Sequence, residues 1–273
     1  MPARLLNGKA LAEKIKAQLR REVAAIKKRC GRVPLLSVIQ IGRDKAAAVY
    51  INSQERIAKQ IGIDYRIVRF GSLISQENLI RQIEKLNKDK RITAIMLGLP
   101  LPKRLDLRQA LCSIDPKKNA EKINPTASAV MELLTSTGIS LFGREAVVVG
   151  HGDLVGKPIA MSLLDKLATV TICHIGTAKR GNLRTHIGGA EILVVAVGKP
   201  NIIKGSWVKR GSIVVDVGIN KVGDKIVGDV EFEAAKRRAS FITPVPGGVG
   251  PLTVMMSMCN CVGLFKKQMR QRR

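Results

Sequence analysis

A glycine-rich loop in the second half of the chain has the spacing needed to hold a phosphate group. Gly150, Gly152 and Gly156 follow the apolar run 146–149 and precede a helical apolar pattern. Such a turn between a strand and a helix lets backbone N–H groups approach a pyrophosphate, and the positive end of the helix favours its charge. The spacing G-x-G-x-x-x-G is one residue longer than the common dinucleotide fingerprint, so the loop alone is a weak indication.

The position that usually contacts the cofactor's ribose carries no acid. Rossmann domains commonly place Asp or Glu at the end of the second strand, whereas residues 173–176 here read Cys-His-Ile-Gly. Lys179 and Arg180 lie just beyond and could pair with a 2′-phosphate, although a solvated loop is an equally good interpretation. The choice between NAD and NADP therefore stays open.

Strands and helices alternate along the chain, which predicts parallel sheets with crossover helices. Apolar spacing predicts helices near 8–28, 46–60 and 76–86, and a last helix from about 253. Buried strands are predicted over 35–41, 65–70, 92–98, 146–149, 170–174, 192–197 and 213–217. The polar stretch from Asp115 to Ser128 interrupts this pattern, and we expect the interdomain connection there.

The charge balance is strongly basic. The 273 residues include 47 Lys and Arg against 21 Asp and Glu, a formal net charge of +26. Such a charge is consistent with a protein that binds nucleic acid and with one that binds small anionic molecules. Aromatic residues make up only 3%, so stacking platforms are scarce, and we expect no nucleic-acid partner. The basic tail 266–273 is interpreted as the solvated end of the last helix, with a contact role as the minor alternative.

Other classes of protein are disfavoured by residue types and spacing. The five cysteines are odd in number without a C-x-x-C pair, and the three histidines are scattered, so we expect no disulfide framework and no metal site. Apolar runs are too short to span a bilayer, and the first residues lack the apolar core of a secretory signal. We expect a soluble, cytoplasmic protein with no membrane contact.

Several segments together resemble the methylenetetrahydrofolate dehydrogenase/cyclohydrolase family. Residues 150–158 resemble its G-R-S-x-x-V-G-x-P loop, and 168–174 (ATVTICH) resemble its A-T-V-T-x-C-H strand. Residues 243–253 (TPVPGGVGPLT) are close to its P-V-P-G-G-V-G-P-x-T signature. Further matching segments extend the resemblance over almost the whole chain: Tyr50, 99–102, 115–116, 197–201 and 216–220.

The resemblance implies an α/β fold of two domains. A folate-binding catalytic domain would comprise residues 1–122 plus 253–273, with the C-terminal helix returning to it, and a Rossmann-like dinucleotide-binding domain would comprise 123–252. It implies a tetrahydrofolate derivative in a cleft between the domains. Hydride would pass from its methylene carbon to NAD or NADP, and a cyclohydrolase step would hydrate the resulting methenyl cation. Family members are commonly homodimers, which we also expect here.

The resemblance also implies the site residues. Those expected to act in catalysis are Tyr50, Gln54, Gly98 and Glu121. Those expected to bind the substrate are Tyr50, Leu99, Pro100, Glu121, Pro246, Gly247 and Gly248. Those expected to bind the cofactor are Gly150, His151, Gly152, Val155, Gly156, Ile175, Val197, Gly198 and Ile219.

This sequence departs from the family pattern at the catalytic positions. The family's lysine in Y-x-x-x-K is Gln54, which is expected to face the cleft with Tyr50 because the two are four apart on one helix. The family's glutamine before L-P-L-P is Gly98, and its D-V-D-G is residues 119–122 (NAEK). Glu121 would keep the charge of an aspartate, with Lys122 as bulk or as its partner; a solvated loop without a role is the rival interpretation.

The departures leave three hypotheses. The first is a dehydrogenase whose cyclohydrolase step is weak or lost, because an amide cannot titrate whereas hydride transfer depends mainly on positioning. The second is a fully bifunctional enzyme, and the third is a non-catalytic relative that binds folate or nucleotide. On the cofactor side, the family's Arg-Ser is His151-Gly152 and a serine is Ile175, which weakens the case for NADP.

Overall fold

The computed structural model describes residues 2–271, apart from the side chain of residue 46, and the last two residues of the basic tail lie outside that range. The strands, in chain order, are β1 (Arg4–Leu5), β2 (Leu35–Ile41), β3 (Asp64–Phe70), β4 (Ala94–Leu97), β5 (Glu145–Val149), β6 (Thr169–Cys173), β7 (Ile192–Val195), β8 (Ile213–Asp216), β9 (Asn220–Val222), β10 (Lys225–Val227) and β11 (Phe241–Ile242). The helices are α1 (Gly8–Cys30), α2 (Lys45–Ile61), α3 (Gln76–Lys88), α4 (Leu107–Cys112), α5 (Pro125–Thr135), α6 (Gly156–Leu164), α7 (Ile175–Lys179), α8 (Leu183–Gly189), α9 (Phe232–Lys236) and α10 (Val249–Arg270), with a 3₁₀ turn at Gly205–Trp207.

The chain forms two compact units. The three-stranded unit comprises Lys14–Ile123 and Val254–Arg273, and the six-stranded unit comprises residues up to Glu13 together with Asn124–Thr253. This confirms the predicted α/β fold with a C-terminal helix that returns to the first domain.

The three-stranded unit is built on a parallel sheet with the order β3-β2-β4. Strand β2 is buried along nearly its whole length, as expected for a central parallel strand covered on both faces. Helix α2 begins where the Asp44 carboxylate accepts from the N–H of Ala47 at 2.8 Å, and it ends at Gly62 in the left-handed conformation. These caps fix the two ends of α2, the helix that carries Tyr50 and Gln54.

The six-stranded unit contains a fully parallel sheet with the order β1-β11-β8-β7-β5-β6. The order reverses at β5, because β6 lies on one side of it and β7 on the other. In open parallel sheets, ligands bind outside the carboxyl ends of the strands at such a switch point. A two-stranded antiparallel hairpin, β9 and β10, follows β8.

Three boundaries differ from the sequence-based expectation. Residues 2–13 belong with the six-stranded unit, because β1 pairs in parallel with β11. The stretch interpreted as the end of a connection begins helix α5, since the Asn124 side chain caps the N–H of Ala127 at 2.8 Å and Pro125 takes the first helical position. Helix α10 begins at Val249, four residues before its predicted start.

Helix α10 is long and apolar enough to cross a membrane by length and composition, but half of its apolar window is buried inside the protein. It also bonds to the three-stranded unit: the Asn260 amide donates to the carbonyls of Ala120 and Ile123 at 2.8 and 2.7 Å. We therefore interpret α10 as a core helix.

Candidate active site

Gln54 lies inside the three-stranded unit and not on an open surface. Its side chain is fully buried; Oε1 accepts from the Tyr65 hydroxyl at 3.0 Å, and Nε2 lies 3.5 Å from the Met96 sulfur. Gln54 shares a face of α2 with Tyr50, as its spacing predicts, but its side chain is buried and not open to solvent. A neutral amide with local partners can be buried at this point of α2 at little cost, whereas a lysine ammonium could not.

Tyr50 lies one turn before Gln54 and is only partly buried. Its hydroxyl interacts with Ser257 on α10 and with Gln54. Burial raises the pKa of the Tyr50 phenol, an effect that the Ser257 hydrogen bond opposes and the Glu121 charge reinforces. Tyr50 therefore stays protonated at neutral pH and is held in place through its hydroxyl.

Gly98 follows β4 at the carboxyl edge of the sheet, and its Cα is crowded. A Cβ added there would lie 2.9 Å from Cδ1 of Ile51 and 3.1 Å from the carbonyl oxygen of Ile39. The Gly98 N–H donates to that same oxygen at 2.7 Å. A side chain at position 98 would therefore require Cδ1 of Ile51 to move. Leu99 is half-buried and Pro100 is exposed beyond it, joined by a cis peptide bond.

Glu121 carries a buried carboxylate that is short of partners. Its Oε2 has no hydrogen-bond partner among residues 2–271, and its own N–H donates to the Asn119 side chain at 2.9 Å. Burial raises the pKa of Glu121 to about 7, and the backbone N–H of Leu97 offsets part of that rise. Lys122 is exposed and is not among the causes of the shift. The solvated-loop interpretation of this segment is therefore wrong for Glu121.

The glycine loop of the six-stranded unit has two crowded positions and one open one. Gly150 has φ +121°, and a Cβ there would lie 2.3 Å from the carbonyl oxygen of Ala196. A Cβ at Gly156 would lie 2.0 Å from the oxygen of Gly150. A Cβ added at Gly152 would have no neighbouring heavy atom within 4 Å. Helix α6 starts at Gly156 after Val155, whose side chain provides no cap. In the first turn, the N–H of Lys157 donates to the carbonyl oxygen of Gly152 at 3.1 Å, and Pro158 has no N–H.

Two histidines stand together beside this loop. The rings of His151 and His174 are 5.2 Å apart between centroids. His174 caps α7 by accepting from the N–H of Gly176 through Nδ1 at 3.1 Å. Ile175, the first residue of α7, is 62% exposed. His174 was not among the predicted site residues; its position at the end of β6 was the available signal.

The other predicted cofactor residues lie on loops held by buried acids. The N–H groups of Val197 and Gly198 donate to Oδ2 of Asp229 at 2.7 and 2.9 Å. Ile219 lies on the loop after β8 and is 65% exposed. Sequence reasoning did not include Asp229, which is one of several acids between residues 224 and 233.

The proline-rich segment after β11 is close-packed. A Cβ at Gly248 would lie 2.8 Å from the carbonyl oxygen of Pro244, and Gly247 has φ +110°. The Gly247 oxygen accepts from the N–H of Lys9 at 2.9 Å. Pro246 is exposed and follows a cis peptide bond. Within residues 2–271, no group of three or more His, Cys, Asp or Glu could hold a metal ion.

Residues 6–121 match the catalytic-domain model of tetrahydrofolate dehydrogenase/cyclohydrolase, and residues 124–269 match the model of its NAD(P)-binding domain. The chain belongs to this family. The two matches meet at the boundary between the units, so each unit corresponds closely to one domain of the tetrahydrofolate dehydrogenase/cyclohydrolase family.

Individual relatives are similar over nearly their full length. The bifunctional protein FolD of Acetivibrio thermocellus is 45% identical over 100% of both chains. That of Geotalea daltonii is 41% identical over 97% of this chain and 100% of its own. A solved methylenetetrahydrofolate dehydrogenase-cyclohydrolase of Trypanosoma brucei, complexed with NADP and an inhibitor, has a TM-score of 0.95 at 36% identity and covers 99% of each chain.

Proposed function

We propose that this chain oxidises methylenetetrahydrofolate with NAD or NADP, and that its cyclohydrolase step is weak or lost. The burial of Gln54 carries the second part. A fully buried amide, bonded to Tyr65, stands where the family resemblance implies a lysine that handles protons. An amide has no titration in the working range of an enzyme, so it cannot take the proton that hydration releases.

The loop from Gly150 to Gly156 fits a dinucleotide. The open space at Gly152 lets a pyrophosphate approach the backbone close to the positive end of α6. A nicotinamide cofactor bound there supplies an acceptor for one hydrogen and two electrons. Val197, Gly198 and Ile219 would line the rest of its groove.

Tyr50 and Glu121 would hold the folate. Tyr50 presents a partly exposed ring whose hydroxyl is fixed by Ser257, which suits stacking on a flat pterin. The unpartnered Oε2 of Glu121 needs a hydrogen-bond donor, and the polar edge of a pterin carries N–H donors. Leu99 and Pro100, in the same unit, would extend this surface, and Pro246, Gly247 and Gly248 are assigned to the substrate by the family resemblance alone. Positioning of this kind is enough to support hydride transfer without a general base.

Full bifunctionality is the second candidate function, and Glu121 favours it. With a pKa of about 7, this carboxylate could accept a proton from water near neutral pH. It would have to reach the bound one-carbon unit while it also holds the pterin. We therefore rank this candidate below a dehydrogenase with a weak hydration step.

The non-catalytic alternative is tested by turnover. Methylenetetrahydrofolate is mixed with the protein and with NAD or NADP in separate runs, and the absorbance of the reduced nicotinamide is followed. We expect reduction with both, and a preference for NADP below about a hundredfold, roughly 2.7 kcal/mol, because His151, Gly152 and Ile175 replace the family's Arg and Ser groups. No reduction with either cofactor would favour a binding protein without catalysis.

We also propose a cytoplasmic homodimer without membrane or nucleic-acid partners, on the family resemblance and the low aromatic content. Sedimentation equilibrium of the full chain should give twice the 29.7 kDa chain mass. A monomer at micromolar concentration would contradict the dimer.

A further inference from the structure

Asp229 is a buried carboxylate that binds backbone from the segment after β7. Its side chain is fully buried. Oδ2 accepts from the N–H groups of Val197 and Gly198, and Oδ1 accepts from that of Lys199 at 2.9 Å. Oδ1 also accepts from Nδ2 of Asn220 at 2.8 Å. The four donors are neutral; three come from the loop after β7, and the fourth is the side chain of Asn220, the first residue of β9.

Asp216, at the end of β8, likewise accepts hydrogen bonds from the backbone of neighbouring segments. Its side chain accepts from the N–H groups of Gly218 and Asp229 at 3.0 Å and from that of Val230 at 2.8 Å. Its own N–H donates to Oγ1 of Thr243, where the proline-rich segment begins, at 2.7 Å. Burial raises the pKa of Asp216 to about 6, and the charge of Asp229 adds to that rise.

Two glycines leave room for these carboxylates. A Cβ at Gly218 would lie 2.1 Å from Oδ1 of Asp229, and a Cβ at Gly228 would lie 2.0 Å from Oδ2 of Asp216. The acids and the glycines thus form one packed cluster at the carboxyl edge of the parallel sheet. Ligands bind at that edge in folds of this type.

We infer that Asp229, supported by Asp216, is a positioning residue for the dinucleotide: it fixes the loop of Val197 and Gly198 relative to the loop of Ile219. The inference rests on the proposed use of these loops to line the cofactor groove. A carboxylate is suited to the task because its two oxygens can accept hydrogen bonds from all four donors. An amide at position 229 would turn two N–H donors toward backbone N–H groups and spread the loops apart.

Two variants separate positioning from general stability. Asn220→Ala removes one of the four donors to Asp229 from the partly exposed side of the cluster, so the fold should survive. Asp229→Asn perturbs the whole cluster. Asp224→Asn is the matched control, because it removes an acid from the exposed hairpin turn of the same unit.

The measurement is the dissociation constant of the full chain for NADP, NAD and tetrahydrofolate by calorimetric titration, beside the midpoint of thermal unfolding without ligand. We expect Asn220→Ala to weaken the binding of both dinucleotides about tenfold. Its tetrahydrofolate affinity and unfolding midpoint should match those of Asp224→Asn. Asp229→Asn, if folded, should weaken dinucleotide binding further, with KM for the dinucleotide rising more than kcat falls.

Unchanged dinucleotide affinity in Asn220→Ala would overturn the inference. So would a parallel loss of affinity for dinucleotide and tetrahydrofolate in proportion to a lowered unfolding midpoint, because that pattern belongs to a purely structural cluster. Binding is read without turnover. Dinucleotide affinity in an unmodified protein that reduces neither cofactor would therefore contradict the proposed activity and leave this inference standing.

Discussion

The hydroxyl of Tyr65, on β3, donates to Oε1 of Gln54, on α2, at 3.0 Å. This bond joins a strand to a helix inside the three-stranded unit and gives the Gln54 amide a structural partner. Tyr65 also lies 3.4 Å from the carbonyl oxygen of Ile51, one turn earlier. Gln54 is therefore built into the core at the position where the family resemblance implies a catalytic lysine.

The first prediction concerns this bond. Tyr65→Phe should lower the free energy of unfolding by about 1–2 kcal/mol, because it deprives a buried amide oxygen of a donor. The same change in a Gln54→Leu background should be nearly neutral, which a double-mutant cycle in urea would measure. Equal effects in both backgrounds would show that the two side chains are not coupled.

The second prediction concerns restoration of the family residues. Gln54→Lys alone should destabilise the protein by roughly 3 kcal/mol, because it buries an ammonium beside a thioether. Adding Gly98→Gln should restore little hydration of methenyltetrahydrofolate, since Cδ1 of Ile51 lies where the new side chain would start. Ile51→Val deletes that atom. The triple variant should therefore catalyse methenyltetrahydrofolate hydration faster than the double variant.

Absorbance decay of methenyltetrahydrofolate compares the three variants at matched folded concentration. Hydration by the double variant as fast as by the triple one would show that Ile51 does not block the site.

The third prediction concerns the pH dependence set by Glu121. Its folded-state pKa of about 7 lies above the ordinary value of 4.5, so the folded state holds the proton more tightly than the unfolded state. Stability from this group is thus present below pH 4.5 and is lost as the pH rises to about 7, by at most about 3 kcal/mol. Glu121→Gln should remove that dependence, so the variant should be more stable than the unmodified protein above pH 7.

Denaturant unfolding from pH 4.5 to 8 checks this, with Glu84→Gln on the exposed face of α3 as the control. Parallel curves for the unmodified protein and Glu121→Gln would contradict the assignment.

The fourth prediction separates the glycines of the dinucleotide loop. Gly152→Asp should abolish NAD and NADP binding by charge repulsion yet leave the unfolding midpoint nearly unchanged, because its Cβ would meet open space. Gly150→Ala should instead lower stability by about 2 kcal/mol or more through its clash with Ala196 and its positive φ. Thermal unfolding with and without millimolar cofactor distinguishes the two. Retained cofactor stabilisation in Gly152→Asp would show that the pyrophosphate binds elsewhere.

The fold was predictable because its signals are local and strong. Apolar runs bounded by glycine and proline mark β2, β5 and β8, and the alternation of strands and helices dictates parallel sheets. Strand β1 was not predictable, because two residues have no periodicity and their pairing with β11 spans most of the chain. The helical start at Pro125 was visible as an Asn-Pro cap, but the polar composition resembled a linker.

The site was predictable only in part. Helical spacing predicted that Tyr50 and Gln54 lie on one face of α2, and their side chains do interact. The ligand-binding role of the loops that the family motifs indicate stays a prediction. The inward direction of Gln54 depends on Tyr65 and Met96, which are distant in sequence, and the crowding at Gly98 depends on the Ile51 rotamer. Long-range packing of this kind leaves no periodic signal. The backbone-binding roles of Asp216 and Asp229 were invisible for the same reason.

The decay of methenyltetrahydrofolate in the presence of this protein decides whether the cyclohydrolase step is weak or lost. The same preparation is first assayed for reduction of NAD and NADP with methylenetetrahydrofolate, which verifies an active sample. We expect the reduced cofactor to form, and methenyltetrahydrofolate to accumulate and then decay at the rate seen without protein. Decay accelerated about a hundredfold or more over that background would contradict this expectation, because general acid–base help of that size requires a working proton handler in the site.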